Sequence, residues 1–201
     1  PNAPTGRSVD LEDIRRVLEE HRDVVVLVDE AYVDFGGVSA DTLLKEYDNL
    51  VVVRTLSKSR ALAGLRVGYA LGSPNLISGL CCVRDSINSY TVDRLAQAGA
   101  VAALEDGPYF EEMRERVIRT RERTEERLRA MGFAVLESKA NFLFVSHPKR
   151  TGKALLDGLR EQGILVRWFD RPRIGNYLRI SVGTDDEMDA LRAALKALTE
   201  G

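Results

Sequence analysis

The chain has only two cysteines in 201 residues, and they are adjacent, Cys81 and Cys82. Neighbours in sequence make a poor disulfide, so no disulfide framework holds this fold. The expectation is a pair of buried thiols in a reducing compartment. Histidine is equally scarce: His21 and His147 are the only two, they fall at helix or strand ends, and they stand at no metal-ligand spacing. No Gly-x-Ser-x-Gly is present, so a serine hydrolase has no support. The segment His147 to Lys153 ends in Gly-Lys, but it lacks the upstream glycine and the following Ser or Thr of a phosphate loop. It reads as a surface turn. No apolar run approaches the roughly 20 residues that a membrane helix needs. The opening Pro-Asn-Ala-Pro carries no charged-then-apolar leader. An excess of one charge is lacking too: 29 Lys and Arg stand against 31 Asp and Glu, a formal net charge of -2. That leaves nothing to attract nucleic acid or an anionic membrane, and a cytoplasmic location is the default. There is no internal repeat and no low-complexity segment.

Apolar residues make up 44% of the chain, enough for one ordinary domain or two small ones with a sizeable core. Val9 to about His21 reads as an amphipathic helix, with Leu11, Ile14, Val17 and Leu18 on one face and Ser8 placed to cap it. Val24 to Val28 is a run of apolar β-formers, expected as a strand buried on both faces. Asp29 and Glu30 fall at its C-terminal end, the edge where parallel α/β sheets place ligands. A short helix is expected over Asp41 to Tyr47, then strands over Leu50 to Val53 and Leu65 to Leu71. Helices follow over Pro74 to Asp85, which carries the cysteines, and over Thr91 to Leu104. A long one runs from about Tyr109 to Met131, with Phe110, Met113, Val117, Thr124, Leu128 and Met131 as its stripe. Its remaining Arg and Glu read as a solvated face of i,i+4 ion pairs. Beyond Gly132 the pattern changes to short strands over Phe133 to Leu136, Phe142 to Val145, Ile164 to Phe169 and Tyr177 to Val182. A helix over Gly152 to Gln162 ends at Gly163, and Thr184-Asp-Asp-Glu187 is a capping box for a last helix. The architecture is α/β, followed by an α+β unit. The boundary is expected near Gly107, giving domains 1–107 and 108–201.

The chemistry concentrates between Leu50 and Leu71. The apolar strand exits into Thr55-Leu56-Ser57-Lys58, and Arg66 follows in a Gly-Leu-Arg-Val-Gly frame. A lysine at the exit of a buried strand sits near a low-dielectric interior, which lowers the pKa of an amine. Such an amine can attack a carbonyl to form a Schiff base. A lysine that simply caps a strand in solvent is the plain alternative. Asp29 equally suits a turn or helix cap, Tyr32 an aromatic packed below the sheet, and Arg167 a surface ion pair.

Ser57-Lys58 with Ala61-Leu-Ala-Gly-Leu-Arg66 resembles the lysine segment of the fold-type I aminotransferases, which use pyridoxal 5'-phosphate. Pro1-Asn-Ala-Pro-Thr-Gly6, Asp29-Glu-Ala-Tyr32 and Asn176-Tyr-Leu-Arg179 complete four segments in the family's order. The resemblance runs from Pro1 to about Glu200. Val28-Asp-Glu-Ala-Tyr-Val-Asp-Phe35, Ser89-Tyr-Thr-Val-Asp-Arg-Leu-Ala-Gln97 and Val166-Arg-Trp-Phe-Asp170 are similar to the histidinol-phosphate branch of that family. The resemblance implies the C-terminal part of a pyridoxal-phosphate-dependent transferase fold, a mostly parallel large domain and a smaller C-terminal one. It implies Lys58 as the amine that holds the cofactor and then as general base, with Asp29 on the pyridine nitrogen and Tyr32 on the phenolic oxygen. Ser57 and Arg66 would hold the phosphate, with Arg54 and Arg60 as alternatives to Arg66. Arg179 would take a substrate α-carboxylate and Arg167 a distal phosphate. The family usually has Asn directly before Pro-Thr-Gly. Here that position is Ala3, so Asn2 is the cofactor candidate in that loop. Glu30 receives no catalytic role, and Asn141 reads as a turn residue.

The implied reaction moves an amino group between histidinol phosphate and 2-oxoglutarate or glutamate, in a homodimer, in histidine biosynthesis. An aromatic-amino-acid aminotransferase or a threonine-phosphate decarboxylase is the neighbouring reading. Family members also carry a portion before Pro1 that supplies a phosphate loop, a ring-stacking aromatic and part of the dimer contact. The chain therefore resembles the C-terminal part of a longer enzyme. A catalytically incompetent fragment is the contrasting expectation.

Overall fold

The computed structural model describes residues 1–200. It divides into two compact units, one of Pro1 with Val9–Met113, the other of Asn2–Ser8 with Arg114 onward. The first unit contains α1 (Leu11–Glu20), β1 (Val26–Asp29), β2 (Leu50–Thr55), β3 (Gly68–Gly72), α2 (Pro74–Ile87) and α3 (Arg94–Glu105). Helix α4 (Gly107–Ala130) starts at the residue where the sequence suggested a boundary, and the two units divide inside it. No helix among the described residues is long and apolar enough to cross a membrane.

β1 pairs parallel with β2, and β2 pairs antiparallel with β3. Among the described residues this sheet is therefore mixed rather than mostly parallel. Its core is Leu18, Ala40, Leu43, Tyr47, Leu50 and Val52, with Leu11, Ile14, Val26 and Val28 packed against it. The expectation that the first strand is buried on both faces fails. β1 is an edge strand, Val26 and Val28 face the packed side, and Leu27 is 60% exposed. Val24 and Val25 are exposed before it. β2 is central, and its Leu50, Val51 and Val52 are buried. The expected helix over Asp41 to Tyr47 is a 3-10 turn, Ala40–Leu43. Asp10, not Ser8, occupies the N-cap of α1, and its side chain makes no capping bond. The cysteines are not buried either: Cys81 is half-buried and Cys82 exposed, because no residue of α2 is buried.

The second unit takes the rest of α4, then β4 (Ala134–Val135), β5 (Phe142–Ser146), α5 (Gly152–Glu161), β6 (Arg167–Trp168), β7 (Leu178–Ser181) and α6 (Asp185–Glu200). Its sheet is antiparallel, in the order β4-β5-β7-β6. Alternation along β5 and β7 sends Leu143, Val145, Leu178 and Ile180 into a core with Leu128, Leu155, Leu159, Leu191 and Leu195. Phe142, Phe144 and Arg179 take the opposite face. The capping box forms as its sequence requires: Thr184 N–H donates to Glu187 Oε2 at 2.7 Å, and Glu187 N–H to Thr184 Oγ1 at 3.3 Å. On α4 the Arg and Glu pair as expected, as in Arg129 to Glu125 at 2.7 Å. Arg121 is buried at 3% exposure: its Nη1 donates to Ala140 O at 2.9 Å, and its Nη2 lies 3.7 Å from Glu122 Oε1.

The opening loop joins this second unit through Gly6. Lys139 N–H donates to Gly6 O at 2.8 Å. Gly6 has φ +78°, and a Cβ there would come within 2.3 Å of Ser138 Oγ. Gly6→Ala would combine a left-handed backbone with a clash against a buried side chain. The expected cost is at least ~2 kcal/mol, read as a lower denaturation midpoint with an unchanged m-value. A midpoint within error of wild type would remove Gly6 as the anchor.

Candidate active site

Strand exits set the geometry of the first unit. Asp29 is the last residue of β1 and lies opposite Val53 in β2. It is exposed, and its Oδ1 accepts the Ala31 N–H at 2.9 Å. Its Oδ2 has no hydrogen bond among the described residues, which leaves one carboxylate oxygen for a cation. Tyr32 follows at the head of a 3-10 turn, Val33–Phe35. Lys58 lies beyond the end of β2, with its Nζ 5.6 Å from the centroid of the Tyr32 ring. The two turns are tied: Ser59 Oγ donates to Asp34 Oδ2 at 2.5 Å. Lys58 is exposed, so the expected low-dielectric setting is absent. Its amine is accessible instead.

The β2–β3 ladder continues past the strands, because Leu56 N–H donates to Val67 O at 3.1 Å. That places Ser57 and Arg66 on the two sides of the hairpin's mouth. Arg66 adopts a left-handed backbone, φ +56°, and its Nη1 donates to Ala63 O at 3.0 Å. The other two candidate arginines are committed elsewhere. Arg60 lies 3.5 Å over the Phe110 ring and donates to Ala103 O at 2.6 Å. Arg54 is bound by Glu30 and Asp41 at 2.9 and 2.8 Å. Of the three, only Arg66 is exposed. A residue that the sequence reading passed over joins this edge. Thr55 Oγ1 bonds Ser57 Oγ at 2.9 Å and accepts the Ser57 N–H at 3.1 Å. The signal was available, since Thr55 and Ser57 flank one residue at a strand exit.

Glu30 was the larger omission. It is 5% exposed, and its carboxylate accepts the Ala40 N–H at 2.6 Å, the Ser39 hydroxyl at 2.8 Å and Arg54 Nε at 2.9 Å. Burial pulls the Arg54 guanidinium pKa down, but hydrogen bonds to Tyr69 and Glu30 outweigh that and hold it above its ordinary value. The network clamps β2 to the turn at Ser39–Asp41 directly behind Asp29.

In the second unit, Arg167 and Arg179 are cross-strand partners on β6 and β7. Arg179 lies 5.1 Å from the Phe142 ring and 5.8 Å from that of Phe169, and Arg167 lies 5.5 Å from Phe169. The Arg179 Nε is buried without a hydrogen-bond partner. Two guanidiniums on one face with an unsatisfied donor suit an anion. Asn2 also belongs to this unit. Its Oδ1 accepts from Thr5 Oγ1 within its own loop, so that oxygen is already engaged locally. His147 is a core histidine: it is buried against Phe133, ring centroids 4.7 Å apart, and its Nδ1 accepts the Lys149 N–H at 3.3 Å. No group of residues able to hold a metal occurs among the described residues.

The first unit's edge thus offers an accessible amine, a carboxylate with an open oxygen, two paired hydroxyls and an exposed guanidinium, that of Arg66, with one donor on Ala63 O. That donor set fits a phosphorylated aromatic aldehyde with a basic ring nitrogen. Comparison with known proteins agrees. A model of the aminotransferase class I and II family matches residues 1–195. The chain is 54% identical over 196 residues to the histidinol-phosphate aminotransferase of Clostridium acetobutylicum, covering 98% of this chain and 56% of that one. It is 56% identical over 200 residues to that of a Marinomonas species, covering 98% and 57%. The solved histidinol-phosphate aminotransferase from Sinorhizobium meliloti, in complex with pyridoxal-5'-phosphate, superimposes with a TM-score of 0.88 at 29% identity. That match covers 100% of this chain and 55% of the other. The chain thus spans little more than half the length of these relatives. With nearly every residue matched, the chain belongs to the class I and II aminotransferase family.

Proposed function

We propose that this chain carries the lysine-bearing part of a pyridoxal-phosphate-dependent aminotransferase acting on histidinol phosphate and 2-oxoglutarate. What supports the reading is the exit of β2: Lys58 follows it beside the Tyr32 ring, Ser57 and Arg66 flank the extended β2–β3 ladder, and Asp29 ends the paired strand β1 with one carboxylate oxygen open. Pyridoxal phosphate bound there supplies an electron sink for the substrate's α-carbon.

The chain's own residues then divide the work. Lys58 Nζ would hold the cofactor through its aldehyde group, and as a free amine would serve as the base that takes and returns the proton of the substrate α-carbon. Asp29 Oδ2 would keep a proton on the ring nitrogen, and the Tyr32 hydroxyl would donate to the phenolic oxygen. Thr55, Ser57 and Arg66 hold the phosphate by two hydroxyls and a charge-assisted bond. Asn2 is the weaker candidate, since Thr5 already occupies its carbonyl oxygen. Arg167 and Arg179 bind the substrates' anionic groups. Histidinol phosphate brings a phosphate and 2-oxoglutarate two carboxylates, so one arginine pair can serve both partners of the exchange. Exposed apolar residues on α2 and α3, such as Leu80, Val83, Ile87 and Leu95, support a homodimer as the working form.

Steady-state kinetics of Arg167→Ala test the substrate. The expected result is a KM for histidinol phosphate raised ~10-fold or more, from loss of a charge-assisted contact. Unchanged turnover of histidinol phosphate would remove Arg167 from the site. An equal effect on aromatic amino acids without phosphate would point to the aromatic branch.

A further inference from the structure

We infer that Phe169 is a positioning residue that holds Arg167 and Arg179 together as one anion-binding pair. The inference rests on the anion-binding role proposed above for the two arginines. Arg167 and Arg179 lie directly opposite each other in the register of β6 and β7. Cross-strand neighbours stand close enough that like charges repel. Left to themselves, two guanidiniums on long, flexible stems would splay apart into water. Phe169 follows Arg167 by two residues, and its ring reaches both cations, 5.5 Å from Arg167 Cζ and 5.8 Å from Arg179 Cζ.

The face of an aromatic ring is the negative end of its quadrupole, and it attracts a cation on either side. One ring therefore draws both guanidiniums toward a common centre. Phe142 on β5 lies 5.1 Å from Arg179 Cζ and restrains it further. Arg179 also keeps its buried Nε donor unpaired within the protein. The pair is thus pre-set, with donors in hand, before an anion arrives. Pre-setting lowers the ordering cost of binding.

The experiment uses the chain's only tryptophan, Trp168, which sits between Arg167 and Phe169. Its Nε1 donates to Gly175 O at 2.6 Å, so its environment is anchored. Inorganic phosphate is titrated into the 201-residue chain while Trp168 fluorescence is followed. Wild type, Phe169→Leu, Phe169→Tyr, Arg167→Ala and the Arg167→Ala/Phe169→Leu double variant are compared. Phe169→Leu keeps apolar bulk but removes the ring, and the apparent Kd for phosphate is expected to rise ~5-fold. Phe169→Tyr keeps a ring and is expected to stay within ~2-fold of wild type. In the Arg167→Ala background, Phe169→Leu is expected to have little further effect, because no pair remains to be held. A merely structural role would weaken both backgrounds alike. Wild-type affinity in Phe169→Leu, or an equal loss in both backgrounds, would overturn the inference while leaving the arginines as an anion site. No saturable response in the wild type would overturn the anion-site reading itself, and this inference with it.

Discussion

Glu30→Gln is expected to lower the stability of the first unit by about 3 kcal/mol, the range for removing one partner of a buried ion pair. The size follows from what the carboxylate does. Glu30 is 5% exposed and receives the Ala40 N–H, the Ser39 hydroxyl and Arg54 Nε on its two oxygens. An amide has a single acceptor oxygen. Whichever way it turns, its NH2 group must face either the Ala40 N–H or the Arg54 and Ser39 donors. In the first case the Ala40 N–H loses its acceptor; in the second Arg54 retains Asp41, at 2.8 Å, but its Nε is left without one. Leaving a buried donor unpaired costs its full desolvation. Denaturant unfolding of the variant should show a lower midpoint with little change in slope. A double variant, Glu30→Leu with Arg54→Met, should recover much of the loss, because both charges leave together. Equal stability of Glu30→Gln and wild type would mean that this network is not what holds the strand exit.

Lys58→Ala should have the opposite profile. Lys58 is exposed, and its Nζ stands 5.6 Å from the centroid of the Tyr32 ring. Removing an exposed side chain of this kind shifts stability by no more than about 0.5 kcal/mol. Covalent capture of the cofactor should nevertheless vanish, and turnover should fall at least ~10³-fold, within the range for losing a positioned general base. Lys58→Arg should fail equally, because a guanidinium keeps the charge but is neither a nucleophile nor a base near neutrality. A Lys58→Ala protein that turns over at a tenth of the wild-type rate would place the chemistry on another amine.

The two predictions also mark what could be read from residues alone. The exit of β2 was legible because Leu50 to Val53 is an unbroken apolar run that stops at polar residues, and the buried centre of the sheet follows that run. Asp29 and Glu30 were harder. A strand alternates its faces, so of two adjacent acids one points outward and one inward. Asp29 is the exposed one and Glu30 the buried one. The sequence carries the countercharge, Arg54, but it lies across a strand pairing that only the fold creates. The same reason hid the attachment of the opening loop. Gly6 meets Ser138 and Lys139, far along the chain, and no local pattern encodes that partnership. Composition misled in β1, where an apolar run suggested burial on both faces, and at Cys81 and Cys82, expected as buried thiols. Leu27 and Cys82 are exposed instead, since an apolar run specifies a surface that wants cover but not what covers it. The Gly-Leu-Arg frame favoured Arg66 over Arg54 and Arg60 in the sequence, and the fold adds a physical ground: Arg54 is bound by carboxylates and Arg60 by Phe110 and Ala103.

The account's central claim is that Lys58 is the amine that holds pyridoxal phosphate. Reduction with borohydride in the presence of the cofactor, followed by peptide mapping, tests it most directly. The account predicts a single hydride-stable pyridoxyl group, on the Lys58 peptide, accompanied by loss of a visible absorbance band and absent from Lys58→Ala. Label spread over other lysines, or retained by Lys58→Ala at wild-type level, would contradict it.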